Sequence, residues 1–324
     1  MTKDSVLAIL RNAGDYVSGE KISKLLGVSR SAVNLAIKSL RSDGYDILSS
    51  TNRGYFLKSA ADKIDAREIS AHLPAQRMLS VRCEDTVDST NNLLRELAFK
   101  GAPDGQVVVA NEQTQGRGRR GRTFVSPKDK GIYLSMLFRP NTLPSDTAEI
   151  TAWTAVAVRN AVKRICGIDP SIKWVNDLLI NGRKICGILT EVSIESESGL
   201  VQHIIIGVGI NVNESPRDFP EELQKVASSL FIETDKNFSR AALAAAIIEE
   251  MDNMRASWPH DKEQYLKAYT ENNFTIGKKV SVLYGASEKY GFAEKINDDF
   301  SLAVRFVDGT AANVSSGEVK LIGI

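Results

Sequence analysis

The chain has 324 residues, 43% of them hydrophobic, which is enough to bury a sizeable core and predicts two or three domains. Forty-one basic residues against forty acidic ones give a formal charge of +1, so a global polyanion-attracting field is excluded and such affinity must come from local clusters. The opening MTKDSVLAIL is too acidic for a signal peptide, and no run approaches the roughly 18 apolar residues of a membrane span. A cytoplasmic protein with no membrane partner is therefore expected.

Residues 1–60 read as a winged helix-turn-helix. Val6, Leu7 and Leu10 mark one helix and Glu20 to Leu26 a second; Gly27-Val28-Ser29 then supplies a turn ending in an N-cap. In the following SRSAVNLAIKSLRSDG, Val33, Ala36, Ile37 and Leu40 recur at helical spacing and face inward. Arg30, Ser31, Asn34 and Lys38 remain outside as candidate DNA contacts. Asp46 to Ser50 and Tyr55 to Leu57 form the hairpin of a wing, with Arg53 at its tip as a fifth contact. The polar stretch 61–74, ending at Pro74, reads as a linker with a short helix.

Residues 75–272 predict an α+β domain around one mixed sheet. A strand runs into a helix at Asp88-Ser89-Thr90-Asn91, with Ser89 or Thr90 as N-cap. Strand candidates lie at 107–110, 132–138, 172–174, 185–192 and 202–212, and helical stretches at 148–165 and 240–272. Short strands within 273–324 predict a small β barrel. Cys83, Cys166 and Cys186 lack C-x-x-C spacing, and His72, His203 and His260 lie far apart, so neither a metal site nor a Cys/His nucleophile is expected.

The chemistry concentrates in Gln115 to Arg122, QGRGRRGR. A dinucleotide fingerprint requires a helix to begin inside the motif, yet Thr123 to Pro127 reads as extended chain. A nucleic-acid patch would carry interleaved aromatics, and none are present. A loop that closes over a small anion fits best, because arginine forks bind carboxylate and phosphate while glycine admits backbone N–H groups. Lys173, Asn176, Asp177 and Lys184 fall on a second hairpin turning at Asn181-Gly182. Lysines within apolar strands require negative partners, either a buried anionic ligand or an internal salt bridge.

Asp88-Ser89-Thr90-Asn91, EQTQGRGRRGR, KWVNDL, GRKICGIL and GVGINVN together resemble the biotin protein ligases. With the N-terminal winged helix, the chain resembles their bifunctional form, both ligase and biotin operon repressor. The resemblance spans the whole chain, in the order DNA-binding, catalytic and SH3-like C-terminal domains. Val175 stands where the family often has Pro, and Phe124 where the bifunctional type commonly has Trp.

The resemblance implies a two-step reaction. Biotin carboxylate attacks the α-phosphate of ATP, brought with Mg²⁺, and a lysine of a biotin carboxyl carrier protein then attacks the mixed anhydride. It implies that Ser89, Thr90, Asn91 and Gln113 bind the biotin head and that Gly116, Arg117, Gly118 and Arg119 wrap biotin and phosphate. Arg117, Arg119, Arg122 and Lys184 would offset the anionic charge. Gly187 is carried over as a substrate contact and Phe124 as packing on the adenine side. Asn176 and Asn211 are candidates for adenine recognition. Asp177 is a candidate for orienting or deprotonating the incoming amine, against a plain turn-capping role. The loop is expected to order around ligand anions as a lid.

Binding of operator DNA by one winged helix per chain predicts a ligand-promoted homodimer, and the strand 200–210 reads either as its edge or as an internal strand. Two other readings compete: a small-acid-sensing repressor without ligase activity, and a lipoate-type acyltransferase.

Overall fold

The structure is a computed structural model that describes residues 2–42, 44–59, 62–75, 77, 79–140, 142–144, 147–195, 197–284 and 287–322. The chain divides into two compact units, Met1–Asp62 and Lys63–Ile324.

In the first unit, helices α1 (Thr2–Ala13), α2 (Gly19–Leu26) and α3 (Arg30–Ser42) precede the antiparallel strands β1 (Asp46–Ser50) and β2 (Gly54–Ser59). Ser18 caps α2 by accepting from Lys21 N–H, and Gly27 ends it in the left-handed region. The Ser29 hydroxyl then accepts from Ala32 N–H at 3.1 Å, which starts α3 where the sequence places an N-cap. Val6, Leu10, Ile22, Val33, Ile37 and Leu40 make one core. This is the expected helix-turn-helix with its wing.

The second unit begins with α4 (Ala66–Ser70), capped by Asp65. Ile64 and Ile69 are buried in the main core, so the stretch expected as a linker is from Lys63 onward a packed part of this unit. The chain continues through β3 (Val81–Val87), α5 (Thr90–Phe99), β4 (Val107–Gln113), β5 (Ile132–Phe138), α6 (Thr147–Cys166), β6 (Ser171–Lys173), β7 (Asp177–Ile180), β8 (Arg183–Ile194) and β9 (Val201–Ile210). Three helices follow: α7 (Leu230–Thr234), α8 (Arg240–Ser257) and α9 (Lys262–Glu271).

The seven strands form one mixed sheet in the order β3-β4-β5-β9-β8-β7-β6, with only β3 and β4 parallel. Helix α5 covers one face with Leu94 and Ala98 against Val108, Leu137 and Ile205. The larger core, including Trp153 of α6, Ile247 of α8, Met136 and Ile206, lies on the other. Strand β9 is internal, between β5 and β8, so the edge reading of 200–210 does not hold. Its apolar run Ile204-Ile205-Ile206 faces a helix on each side of the sheet, which is why it lacks strict alternation. His203 is also buried, with its ring edge-on to Phe99.

The chain closes with an antiparallel five-stranded sheet made of β10 (Lys279–Tyr284), β11 (Ser287–Ile296), β12 (Leu302–Phe306), β13 (Ala311–Val314) and β14 (Glu318–Leu321), in the order β13-β12-β11-β10-β14. It is joined to the mixed sheet by Trp174 Nε1, which donates to Phe300 O at 3.0 Å.

Candidate active site and DNA-binding helix

The floor of the site is made by omission. Gly187 of β8 pairs with Gly209 of β9, and Gly207 lies two residues along the same strand face. A Cβ at Gly209 would lie 2.6 Å from the Phe124 ring, and one at Gly207 would overlap Asn91 Oδ1. Glycine at alternate positions of a buried strand thus leaves the space that Asn91 and Phe124 occupy.

Beside this floor, the start of α5 is arranged around a neutral relay. Gln113 Oε1, rather than the Ser89 hydroxyl, accepts from Thr90 N–H at 2.9 Å. Ser89 sits at the N-cap position without a side-chain cap bond and is among the residues lining the cavity. The Thr90 hydroxyl donates to Gln113 Oε1 at 3.1 Å, and the Ser135 hydroxyl, with one proton, stands 2.7 Å from the Thr90 hydroxyl and 2.6 Å from Asn91 Oδ1, which can only accept. Asn91 Nδ2 then donates to Glu191 at 2.8 Å.

The arginine loop folds over this floor with its own backbone bonds. Gly118 N–H donates to Arg122 O at 2.7 Å and Phe124 N–H to Gly116 O at 2.9 Å. Its charges are held differently from one another. Arg117 donates to Asn92 at 2.6 Å and pairs with Glu191, which also takes Arg95 at 2.8 Å. Arg122 pairs with Glu318 of β14, and Arg120 stands 4.0 Å from the same carboxylate. Among the described residues Arg119 makes a neutral bond, to Asn176 Oδ1 at 3.2 Å, and no ion pair. Burial lowers its pKa, offset in part by Asp177. Lys184 lies 2.7 Å from Asp177 Oδ1, an ion pair without hydrogen-bond alignment.

A cavity of about 50 Å³ results. It brings together Ser89, Thr90, Asn91 and Gln113 on one side, Arg117, Gly118, Arg119 and Phe124 on the loop, and Asn176, Lys184 and Gly187 on the hairpin. This volume holds one or two waters, so the loop must move for a larger ligand to enter. A second cavity of about 270 Å³ shares Arg119 and Ile188 and reaches Thr190, Val192, Ser315 and Ser316.

Four expected site residues lie outside the first cavity. Arg122 is turned away to Glu318, and Gly116 supports the loop base, where a Cβ would collide with Phe124 O. Asn211 is buried with its amide donated to Ser228 O at 2.8 Å. Asp177 reaches the cavity only through Lys184. Sequence reasoning missed Ser135 and Leu134 altogether and gave no roles to Gly207 and Gly209, although the alternate glycines of GVG carried the signal.

The comparisons with known proteins agree with this geometry. Residues 84–211 match the biotin/lipoate A/B protein ligase family, and residues 2–56 match a helix-turn-helix domain. The bifunctional ligase/repressor BirA of Bacillus subtilis is 38% identical over 249 residues, 76% of each chain. That of Escherichia coli is 30% identical over 321 residues, covering 98% of this chain and 96% of its own. The biotin protein ligase of Aquifex aeolicus, solved in complex with biotin and ATP, superposes with a TM-score of 0.63 at 26% identity, over 74% of this chain and 97% of that one.

The chain belongs to the bifunctional biotin ligase/repressor family. It is accordingly a biotin–protein ligase that also carries a transcriptional repressor unit.

In the DNA-binding half of this ligase/repressor, Arg30, Ser31, Asn34 and Lys38 are all exposed on α3. Arg53 is exposed as well, but it is engaged at 2.9 Å by Asp15 and lies over the Tyr16 ring. The three cysteines of the ligase are free. Burial pushes Cys83 and Cys166 up to about 12 and raises Cys186 further, so none is a thiolate at neutral pH. Among the described residues no helix is long and apolar enough to cross a membrane.

Proposed function

We propose that the cavity activates biotin as biotinyl-5'-AMP and that the second cavity admits the lysine of a biotin carboxyl carrier protein. The observation that carries this reading is the combination of a neutral polar relay, Thr90-Ser135-Asn91 with Gln113, and two cations, Arg119 and Lys184, on one small cavity. The relay suits an uncharged polar head group such as the ureido ring of biotin. The cations suit the carboxylate and the α-phosphate, two anions whose approach must be offset.

Ser89, whose side chain makes no cap bond, is available to the head group, and Arg119 to the developing charge. Arg117 is already neutralised by Glu191, so its part is to hold the loop across the site rather than to supply free charge. The biotin carboxylate is ionised, so no protein base is required for the first step. For the second step Asp177, beside Lys184, orients the incoming amine. Asn176 is the remaining candidate for the adenine side.

Mg²⁺ would enter with the nucleotide, held on its phosphates.

Dimerisation is assigned to β8. Strand β7 pairs with β8 only as far as Gly187, which leaves residues 189–194 without an outer neighbour among the described residues, with Val192 and Ile194 exposed. Such an edge pairs readily with its copy or with an extended carrier segment.

Incubation with ATP and labelled biotin, followed by mass analysis, should show bound adenylate and released pyrophosphate. Ligand-dependent DNA binding without adenylate would instead favour the sensor reading. Sedimentation with and without both substrates should show a mass increase that Val192→Lys abolishes while adenylate still forms.

A further inference from the structure

A row of side chains crosses three strands beside the cavity. Lys173 of β6 pairs directly with Asp177 of β7, and Asp177 pairs with Gly187 of β8, whose missing side chain forms part of the floor. Directly opposed residues share a sheet face with Cβ atoms about 5 Å apart, well within the reach of a lysine stem. Lys173 of β6 and Lys184 of β8 therefore stand on the two strands that flank Asp177 of β7.

The two lysines are not used equally. Lys184 Nζ lies 2.7 Å from Asp177 Oδ1. Lys173 has neither an ion-pair nor a hydrogen-bond partner among the described residues, although it is half-buried. Burial lowers its pKa, Asp177 raises it, and Lys184 and Arg122 lower it again, with Glu318 a weaker favourable neighbour. A half-buried ammonium left without a partner is costly and calls for a reason.

That reason lies in what Lys184 has to do. If Lys184 moves from Asp177 to an arriving carboxylate and phosphate, it abandons a largely buried carboxylate, which by itself would be severely destabilised. We infer that Lys173 is a positioning residue that takes over Asp177 as counter-charge when Lys184 turns to the substrate anion. Three groups with two positive charges and one negative can then receive one substrate anion without leaving any carboxylate bare. Lys173 touches no substrate in this scheme and acts only through Asp177 and Lys184.

The inference rests on the adenylate-forming reading above. Its test is single-turnover formation of biotinyl adenylate by the full-length chain, in the wild type, Lys173→Met, Lys173→Arg, Asp177→Asn and the Lys173→Met/Asp177→Asn double variant. Lys173→Met should slow adenylate formation about tenfold with the biotin KM unchanged, because only the charge hand-over is lost. Lys173→Arg should restore the rate to within about twofold, since the positive charge is kept. In the Asp177→Asn background the Met substitution should add nothing, because no carboxylate remains to be compensated.

Equal losses from Lys173→Met in both backgrounds would mean that it acts on the substrate or on folding, and would overturn the inference, as would no loss in either. Should Lys173→Met lose its thermal transition, Lys173→Gln carries the same expectations. A wild type that forms no adenylate at all would instead remove the ligase reading, and the hand-over with it.

Discussion

On the floor of the cavity Thr90, Gln113, Ser135 and Asn91 are uncharged groups fixed by hydrogen bonds to one another, with Asn91 also donating to Glu191, and by glycines that leave room for them, whereas on the loop side the charged Arg117 and Arg122 are fixed by ion pairs. The floor groups are buried and have one geometry available, so they are preorganised for a ligand that brings no charge. Arg117 and Arg122 are anchored by Glu191 and Glu318, which leaves Arg119, bonded to Asn176 and without a carboxylate of its own among the described residues, as the loop charge open to a substrate anion. Recognition of the head group and capture of the anion are thus separated in space and in kind. Changing the floor should alter the fit, and changing the loop should alter the charge balance.

The largest effect is expected on the floor. Gly207→Ala would force a methyl group into the position of Asn91 Oδ1, breaking the link from Ser135 through Asn91 to Glu191. Overpacking costs about 1–3 kcal/mol, and losing the head-group bonds adds to it, so biotin affinity should fall on the order of 100-fold or more. Isothermal titration with biotin alone measures this. Unchanged affinity would place the head group elsewhere.

Lys184→Ala comes next. It removes one half of the 2.7 Å pair with Asp177 and a cation of the cavity wall. A lost charge-assisted contact costs about 1.5–3 kcal/mol, or roughly 10- to 150-fold in adenylate formation. Binding of biotin alone should change less than under Gly207→Ala, and that contrast tests the separation of fit from charge. Equal losses of biotin affinity in both variants would break the comparison.

Much of this division could be read from the chain, and what could not has a common cause. The third helix follows from the period of Val33, Ile37 and Leu40, and the hairpin turn at Asn181 and Gly182 follows from two residues that accept positive φ, here 50° and 78°. Both signals are local. The partners of the arginines are not: Glu191 lies 74 positions from Arg117, and Glu318 lies 196 from Arg122. Four arginines in seven residues therefore read as four free charges, when two are already neutralised. The position of β9 was hidden similarly, because an apolar run fits an internal strand and a hydrophobic edge equally well until its neighbours are known. Ser135 gave no signal, being one hydroxyl within an apolar strand.

A third test follows from a carboxyl near the floor. Glu214, in the segment that follows β9, is fully buried, and burial pushes its pKa up to about 7 against the backbone of Glu214 and Val212, which holds it down, with Asp218 adding to the rise and Arg240 opposing it. A raised carboxyl pKa means that the folded state holds the proton more tightly than the unfolded state does. The associated stability is fully present below the unfolded value, near 4.5, and is lost as pH rises towards 7. Glu214→Gln has no proton to lose. Its stability relative to the wild type should therefore increase between about pH 4.5 and 7, by up to about 1.4 kcal/mol per pH unit, and level off above. Parallel urea melts across that range check the sign; a constant difference would mean that the carboxyl is not held protonated.

The smallest effect should come from the most conspicuous part of the sequence. Arg122 belongs to QGRGRRGR and on charge alone would rank with Arg119, but it is 64% exposed and directed at Glu318 rather than into the cavity. Exposed ion pairs are worth about 0–1 kcal/mol, so Arg122→Ala should cost at most roughly fivefold in adenylate formation. The cost should shrink further at high salt, where an exposed pair is screened and a buried contact is not. Arg119→Ala is the control, since that guanidinium lines both cavities and has no carboxylate of its own. Its loss should be at least tenfold, the order expected of a charged contact to the substrate, and should persist at high salt. Stopped-flow adenylate formation at low and high salt separates the two. If Arg122→Ala matched Arg119→Ala under both conditions, Arg122 would have to leave Glu318 during the reaction, and the loop-side carboxylates would be competitors of the substrate rather than permanent anchors.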